Sequence, residues 1–267
     1  MMHRLALLPL VLAATLGASA GCSTEPDGPW VLAWEDDFSG AAGALPNQAN
    51  WRFDVGTDWG NAQLEYDTDR ASNASLDGAG HLVITARREA FQGRAYTSAR
   101  ITTKGKQEFK YGRFEARLKL PSGRGLWPAF WLLGANLERV GWPQAGEIDV
   151  MEYRGQEPNI VHGSLHGPGY SAGHAFTRRF VLDNGRFDAD FHDFTVEWDE
   201  EQVKWKVDGK LYHEIKRSYV PGTWVFDQPF YIILNVAVGG GFVGPPDGST
   251  TFPQTMVVDW VRVYRRG

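Results

Sequence analysis

Short β-patterned runs separated by turn residues dominate this chain, and no amphipathic stretch is longer than a turn or two of helix. The clearest run is residues 113–120, in which apolar residues at even positions alternate with charged residues at odd positions. This alternation is typical of an antiparallel strand with one buried face and one face in water. Asp208-Gly209 is a strong signal for a two-residue hairpin. The sequence therefore predicts an all-β fold, a two-sheet antiparallel β-sandwich.

Three acids interrupt an apolar, β-prone segment with the sequence GEIDVMEY at residues 146–153. Side chains of a strand alternate between faces, so Glu147 and Asp149 project to one side and Glu152 to the other. One extra residue bulged out at positions 150–151 would shift the register and re-aim Glu152. We therefore predict a bulged strand that carries all three carboxyls in a row on one face.

Carboxyls so close together on a partly dry surface cannot all stay ionised, so at least one pKa must rise. Two carboxyls in different protonation states are what glycoside hydrolysis with retention requires. In this interpretation Glu147 is the nucleophile, Glu152 is the acid/base, and Asp149 keeps the first ionised and the second protonated. The spacing alone also fits a simpler alternative, an acidic strand face open to water.

Tryptophan-rich motifs stand just before the acids, and the flat C–H faces of sugars stack on indole rings. Eight motifs follow one another along the chain: YTSARI (96–101), YGRFEARLKLPSG (111–123), LWPAFWLLG (126–134), GEIDVMEY (146–153), VHGSLHGPGYS (161–171), FHDFTVEW (191–198), PFYIILNVAVGG (229–240) and VDWVRVY (258–264). In these motifs and their order the chain resembles glycoside hydrolase family 16 and, within it, the laminarinases, from about residue 34 to the end. The resemblance implies a concanavalin A-like β-jelly roll with a concave substrate cleft. It also implies a retaining endo-glycosidase that hydrolyses β-1,3-glucosidic bonds in β-glucans such as laminarin.

The resemblance also implies a set of substrate-binding residues. Trp127, Trp131 and Trp142 would serve as sugar platforms, although many residues of a chain with 13% aromatic content must be core. His166 would face the cleft beside the acids, to bind substrate or to tune the acid/base. His162 stands four positions earlier, but that spacing makes a metal pair on a helix and not in strand and loop sequence.

Asn61 and Arg100 match family positions that bind sugar hydroxyls on the non-reducing side, a task that suits an amide and a guanidinium because both offer fixed fans of donors. Each could instead anchor a loop. Asn235 is the one polar residue of an apolar run, so it is either a hydrogen-bonded core amide or a cleft residue. For Glu115, on the charged side of its strand, a surface role suffices.

Relatives of this family often hold a structural calcium far from the cleft, bound by hard oxygen ligands. The matching positions are Asp37, the carbonyl of Gly80, and Asp259. Three ligands so scattered in sequence could equally be ordinary surface or turn residues. No cofactor is implied for catalysis, because the carboxyls can do the chemistry.

The first residues read as an export signal and not as part of the fold. Residues 1–21 combine a weakly basic start, an apolar run too short to span a bilayer and an Ala-Ser-Ala cleavage signature. Cys22 follows at once, as in a lipoprotein signal, which predicts membrane attachment through a lipidated Cys22; Ser19 departs from that pattern and leaves ordinary cleavage after Ala20 open. Residues 22–29 would be a short tether and residues 30–267 a single catalytic domain, either on an outer-membrane or cell-surface lipoprotein or secreted.

The charge balance limits the partners. The chain has 27 Lys and Arg against 32 Asp and Glu, a formal net charge of −5, and no basic run. We therefore expect no nucleic-acid partner. The resemblance implies a β-glucan polysaccharide as substrate, and we expect a monomer. Three rival functions stay open: another family specificity such as mixed-linkage β-1,3-1,4-glucan or a marine galactan, a transglycosylase, and a glucan-binding lectin. Lectins of this type have lost the catalytic glutamates, which are present here.

Overall fold

The computed structural model describes residues 28–267. Residues 1–27, which include the predicted signal, Cys22 and most of the tether, lie outside the described residues. The described part has eighteen strands, one four-residue helix (Leu137–Val140) and two 3-10 turns (Ala172–His174 and Arg217–Tyr219). No helix within residues 28–267 has the length and apolar character needed to cross a membrane. The predicted all-β fold is confirmed.

The strands form two sheets. The first has ten strands: β1 (Trp30–Asp36), β3 (Glu65–Asp67), β4 (Ala74–Leu76), β5 (Leu82–Phe91), β6 (Arg94–Ser98), β9 (Gly112–Lys119), β14 (His192–Trp198), β15 (Gln202–Val207), β16 (Lys210–Lys216) and β18 (Gln254–Arg266). Its main path runs β16-β15-β14-β9-β18-β5-β6-β3, with β1 paired to β18 and β4 to β5. The second has eight strands: β2 (Arg52–Phe53), β7 (Arg100–Thr102), β8 (Glu108–Phe109), β10 (Leu126–Gly134), β11 (Glu147–Tyr153), β12 (Ile160–His166), β13 (Phe176–Val181) and β17 (Phe230–Val238).

The second sheet has the order β13-β12-β11-β10-β17-β7-β2, with β8 paired to β17. Neighbouring strands are antiparallel throughout the described residues except for β3 and β6, which are parallel. Every residue of β17 is buried, as the sequence predicts for a central strand. Asp208 and Gly209 both have left-handed backbones, with φ of 48° and 75°, and make the predicted hairpin between β15 and β16.

One apolar core contains residues of both sheets. In β9 the side chains of Phe114, Ala116 and Leu118 are fully buried in this core, as the alternation predicts. The expected surface role of Glu115 is wrong, because this side chain is only 7% exposed and accepts a hydrogen bond of 2.9 Å from the Thr195 hydroxyl. It also pairs with Arg113, which supplies the opposite charge that a buried carboxylate needs.

Candidate active site

The predicted bulge is present in β11. Against β10, Trp131 pairs with Asp149 while the preceding Phe130 pairs with Met151, so Val150 has no partner. The register against β12 also shifts between Asp149 and Glu152. This extra residue places the three carboxyls on one face of the sheet. On the other face, Ile148 and Val150 belong to the apolar core.

A buried tryptophan of the opposite sheet supports the bulge. The indole N–H of Trp205 donates a hydrogen bond of 2.8 Å to the main-chain carbonyl of Asp149. Gly163, which lies opposite the bulge in β12, leaves room for this contact, because a Cβ there would lie 2.6 Å from Cδ1 of Trp205. Any side chain at position 163 would therefore push against Trp205 and disturb the strand that carries the acids.

Two indole groups donate to the outer acids. Trp142 Nε1 lies 3.2 Å from Glu147 Oε2, and Trp127 Nε1 lies 3.1 Å from Glu152 Oε1. Each hydrogen bond stabilises the ionised carboxylate, but neither indole carries a charge. Two of the three predicted tryptophans therefore contact the acids directly.

His166 lies beside Asp149 and Glu147. Its Nε2 is 3.1 Å from Asp149 Oδ2 and 3.8 Å from Glu147 Oε1. Its Nδ1 accepts a hydrogen bond of 3.2 Å from the main-chain N–H of Ala172. Because Nδ1 is an acceptor, the proton of the neutral imidazole is on Nε2, and the ring presents a donor to the carboxyls.

Burial dominates the electrostatics of this site. It raises the pKa of Glu147, Asp149 and Glu152 to about 8 each, and repulsion from Asp149 adds to the rise for both glutamates. Coulombic attraction to His166 in its protonated form and the hydrogen bonds from the two indoles act in the opposite direction on the glutamates. The three groups therefore hold fewer than three negative charges at neutral pH, which is the condition for one carboxylate and one carboxylic acid to coexist.

Glu147, Asp149 and His166 could also be read as a metal site, because one ligand atom from each lies within 4.8 Å of the others. A metal at Nε2 would need an unprotonated nitrogen there. The proton would then move to Nδ1, where it would face the N–H of Ala172. The hydrogen bonding of His166 thus fits a proton donor better than a metal ligand.

Trp131 lies in register with Asp149 and donates from Nε1 to Asn235 Oδ1 at 2.8 Å. Asn235 is thereby placed on the acid face of the sheet, where it is a buried, hydrogen-bonded amide. Arg100 is next to it in register on β7, and its guanidinium lies over the ring of Trp131, 4.8 Å from the ring centre. Arg100 Nε is also 3.2 Å from Asp54 Oδ2.

Asn61 is exposed in a loop, and its main-chain carbonyl accepts a hydrogen bond of 2.8 Å from Gly241. The neighbouring Gly240 has no room for a side chain, since a Cβ there would lie 2.9 Å from the Asn61 carbonyl and 3.2 Å from the Trp127 ring. This contact brings Asn61 to the side of the site where Trp127 meets Glu152.

The predicted calcium ligands lie on the other sheet. Asp259 stands at a bulge of β18, where the paired strand changes from β1 to β5. Asp37 directly follows β1, and a Cβ on Gly80 would lie 3.9 Å from the Asp37 carbonyl oxygen. The fold therefore brings these three residues to one place, remote in topology from the acids. Asp259 Oδ2 is also 3.3 Å from Arg117 Nε.

Comparison with known proteins agrees with this geometry. The model of the glycosyl hydrolases family 16 matches residues 54–262. The chain belongs to the family 16 glycosyl hydrolases. It is 42% identical to a β-glucanase of Rhodothermus marinus, in an alignment that covers 99% of this chain and 95% of that protein.

Solved structures of other family 16 glycosyl hydrolases superpose closely on this one. The endo-β-1,3-glucanase of Pyrococcus furiosus has a TM-score of 0.85 and 47% identity, covering 89% of this chain and 95% of that one. The laminarinase catalytic domain of Thermotoga maritima has a TM-score of 0.84 and 46% identity, covering 89% and 99%. The predicted family and its jelly-roll fold are confirmed.

Sequence reasoning missed three residues of this family 16 site. Trp205 is indistinguishable in sequence from any core tryptophan. Phe242 packs against Trp127, with ring centres 5.1 Å apart, and no local pattern links the two. Trp59, whose ring also lies under the Arg100 guanidinium at 5.0 Å, directly precedes the Gly60-Asn61 pair and could have been found from that position.

Proposed function

We propose that this family 16 glycosyl hydrolase is a retaining endo-β-1,3-glucanase that acts on β-glucans such as laminarin. The observation that carries the proposal is a row of three carboxyls on a bulged strand, with Asp149 buried and Glu147 and Glu152 half-buried. The names of its relatives support the substrate, since they include a laminarinase and endo-β-1,3-glucanases. The chemistry needs only the carboxyls and water, in keeping with a family whose catalysis requires no cofactor.

In the first step Glu147 is the nucleophile and Glu152 is the acid. A Glu147 carboxylate oxygen forms a bond to the anomeric carbon while the bond from that carbon to the bridging oxygen breaks. Glu152 gives its proton to the departing oxygen, which leaves as a hydroxyl of the second sugar chain. The sugar is then an ester of Glu147, and Glu152 is a carboxylate.

In the second step Glu152 takes a proton from water, and the water oxygen attacks the anomeric carbon. The bond to Glu147 breaks, which restores the carboxylate, and two inversions give net retention. The charge has moved from Glu147 to Glu152 and back. Asp149 lies between the two glutamates, and its negative charge raises the pKa of both. Asp149 therefore favours the protonated form of whichever glutamate is not the carboxylate at that step.

The neighbours of Glu147 fit the nucleophile assignment. This carboxyl has the Trp142 N–H at 3.2 Å on one oxygen and His166 Nε2 at 3.8 Å from the other. Both stabilise the carboxylate that must attack. Glu152 likewise has the Trp127 N–H on one oxygen, and repulsion from Asp149 raises the pKa of both glutamates. The contact with His166 Nε2 at 3.8 Å is therefore what sets Glu147 apart.

Hydrolysis of laminarin by purified residues 23–267 tests the function. We expect release of reducing sugar from laminarin that is absent from the Glu147→Ala variant, with barley mixed-linkage glucan measured in parallel to rank the linkages. Faster release from mixed-linkage glucan would instead favour a broader β-1,3(4) specificity, as in the relative described as a non-specific endo-β-1,3(4)-glucanase. No release from either polymer together with retained binding would replace the enzyme proposal with the lectin alternative.

We further propose a structural calcium held by Asp37, the Gly80 carbonyl and Asp259. Their convergence at the β18 bulge and the hard oxygen donors support it. Added Ca²⁺ at a hundred times its Kd should stabilise chelator-treated protein by about 2.7 kcal/mol in urea unfolding. Asp259→Asn should lose this gain, whereas Asp193→Asn, which removes another partner of Arg117, should keep it. Equal gains in both variants would refute the site.

Export and lipidation at Cys22 are also proposals, supported by the sequence of residues 1–22. Cells that express the full chain and are fed labelled palmitate should label the wild type and leave Cys22→Ala unlabelled. An unlabelled wild-type protein whose mature N-terminus is Gly21 would instead show ordinary secretion. We propose a monomer, to be checked by light scattering of the mature chain.

A further inference from the structure

Trp59 ends a line of stacked side chains that leads away from the acids. The Arg100 guanidinium lies over the rings of both Trp131 and Trp59, 4.8 and 5.0 Å from the ring centres. Arg100 is on β7, three strands away from β11, which corresponds to about 14 Å at the usual strand spacing. A ligand that touches both the acids and Trp59 must therefore be an oligosaccharide.

Trp59 is presented to solvent. Trp59 is 37% exposed, although most tryptophans of this protein are buried in or packed against the apolar clusters. The Arg100 guanidinium covers part of the ring, and the exposed part is free to contact a ligand. An exposed indole next to a guanidinium offers an apolar face for a sugar ring and donors for its hydroxyls.

The loop that carries Trp59 is held in an unusual conformation. Asp58, Asn61 and Ala62 have φ of 64°, 56° and 56°, a region that non-glycine residues rarely occupy. Such backbones persist only where surrounding contacts fix them, and they concentrate at binding sites. Here an ion pair between Asp58 and Arg94 and a hydrogen bond of 2.8 Å from Thr57 Oγ1 to the Glu65 carbonyl fix the loop.

Asp67 holds the indole itself. This carboxyl is 2% exposed, and its Oδ2 accepts a hydrogen bond of 2.9 Å from Trp59 Nε1. Its Oδ1 is buried and has no hydrogen-bond partner among residues 28–267. Burial raises the pKa of Asp67 well above its usual value, with the neighbouring Glu65 adding to the rise. A buried acid with so few partners is costly, and the mechanism does not use it.

We propose that Trp59 is a remote sugar-binding platform for the β-glucan chain and that Asp67 is the positioning residue that orients its indole against Arg100. The ligand class is a pyranose ring of the same chain, several sugars away from the bond that is cut. The identity of that sugar rests on the proposed function. Asp67 itself does not contact the sugar, because it is buried behind Trp59.

Kinetics on β-1,3-linked oligosaccharides of two lengths test this proposal. For a long oligosaccharide, Trp59→Ala should raise KM by roughly three- to tenfold with little change in kcat, which is the range of an aromatic stacking contact. For a trisaccharide, which cannot reach Trp59, KM should stay the same. Trp30→Ala is the matched control, because Trp30 also carries an arginine over its ring, Arg266 at 3.8 Å, but belongs to the other sheet.

Variants of Asp67 separate positioning from general stability. Asp67→Leu should raise KM for the long oligosaccharide, and Asp67→Asn should restore it, because the amide oxygen still accepts from the indole. The double variant Trp59→Ala/Asp67→Leu should be no worse than Trp59→Ala alone. Equal effects on both lengths, or additive effects in the double variant, would overturn the proposal.

Measuring oligosaccharide binding in an inactive variant tests the Trp59 platform independently of the proposed hydrolase activity. In a Glu147→Ala background, calorimetry should show weaker binding of the long oligosaccharide when Trp59 is replaced by alanine. If the wild type cuts nothing but this loss of affinity remains, the hydrolase proposal fails and the platform stands. Unchanged affinity would refute the platform even in an active enzyme.

Discussion

Replacing Glu147 with alanine should lower kcat/KM on laminarin by about 10⁴-fold or more, the scale seen when an enzyme loses its nucleophile. Replacing Glu152 with alanine should cost about 10²- to 10⁴-fold, the range of general acid/base catalysis. Neither change should unfold the domain, since each removes a carboxyl that burial already disfavours in its ionised form. Circular dichroism and a melting curve check the fold, and initial rates check the activity.

Azide rescue tells the two glutamates apart. In Glu147→Ala, azide can attack the anomeric carbon from the vacated side while Glu152 protonates the leaving group, which gives an α-glycosyl azide from a β-glucan. In Glu152→Ala, an aryl glycoside with a good leaving group still forms the Glu147 ester, and azide then displaces Glu147 to give a β-glycosyl azide. The opposite pairing of anomers would exchange the two roles. Near-normal hydrolysis of laminarin by either variant would overturn the whole assignment.

Local patterns in the sequence predict much of this molecule because strands have a strict period of two. The alternation in residues 113–120 correctly places Phe114, Ala116 and Leu118 in the core. The acid spacing predicts the bulge because only a one-residue shift puts Glu152 beside Asp149. These inferences use only neighbours along one strand, and the structure shows the burial pattern and the bulge that they predict.

Contacts between distant segments escape such reasoning. Glu115 alternates like a surface residue, yet Thr195 on the neighbouring strand covers it. Trp205 supports the bulge from the opposite sheet, 56 positions along the chain from its partner Asp149. The proton position on His166 depends on the main-chain N–H of Ala172, which no side-chain pattern reveals. The burial of a charged side chain such as Glu115, the strand order and the direction of hydrogen bonds depend on the tertiary fold.

The buried acids should also make the protein less stable as pH rises. Burial raises the pKa of Glu147, Asp149 and Glu152 from 4.5, 3.8 and 4.5 to about 8. Between these limits the folded state binds more protons than the unfolded chain, so the free energy of unfolding falls with increasing pH. The three protonated carboxyls therefore contribute fully to the free energy of unfolding below about pH 4, and this contribution is lost as pH rises through about 8. Each extra bound proton contributes a slope of about 1.4 kcal/mol per pH unit.

Urea unfolding at constant ionic strength from pH 5 to pH 8 measures this slope against a variant that lacks all three charges, Glu147→Gln/Asp149→Asn/Glu152→Gln. We expect the stability of the wild type, relative to the variant, to fall by at least about 1.4 kcal/mol per pH unit in the middle of this range. Glu65 and Asp67, whose pKa values burial also raises, remain in both proteins and cancel in the difference. Parallel curves for the two proteins would mean that the three acids ionise as freely as in water. The proton that Glu152 must donate to the leaving group would then be absent at neutral pH, so this equilibrium measurement also tests the chemistry assigned to the bulged strand.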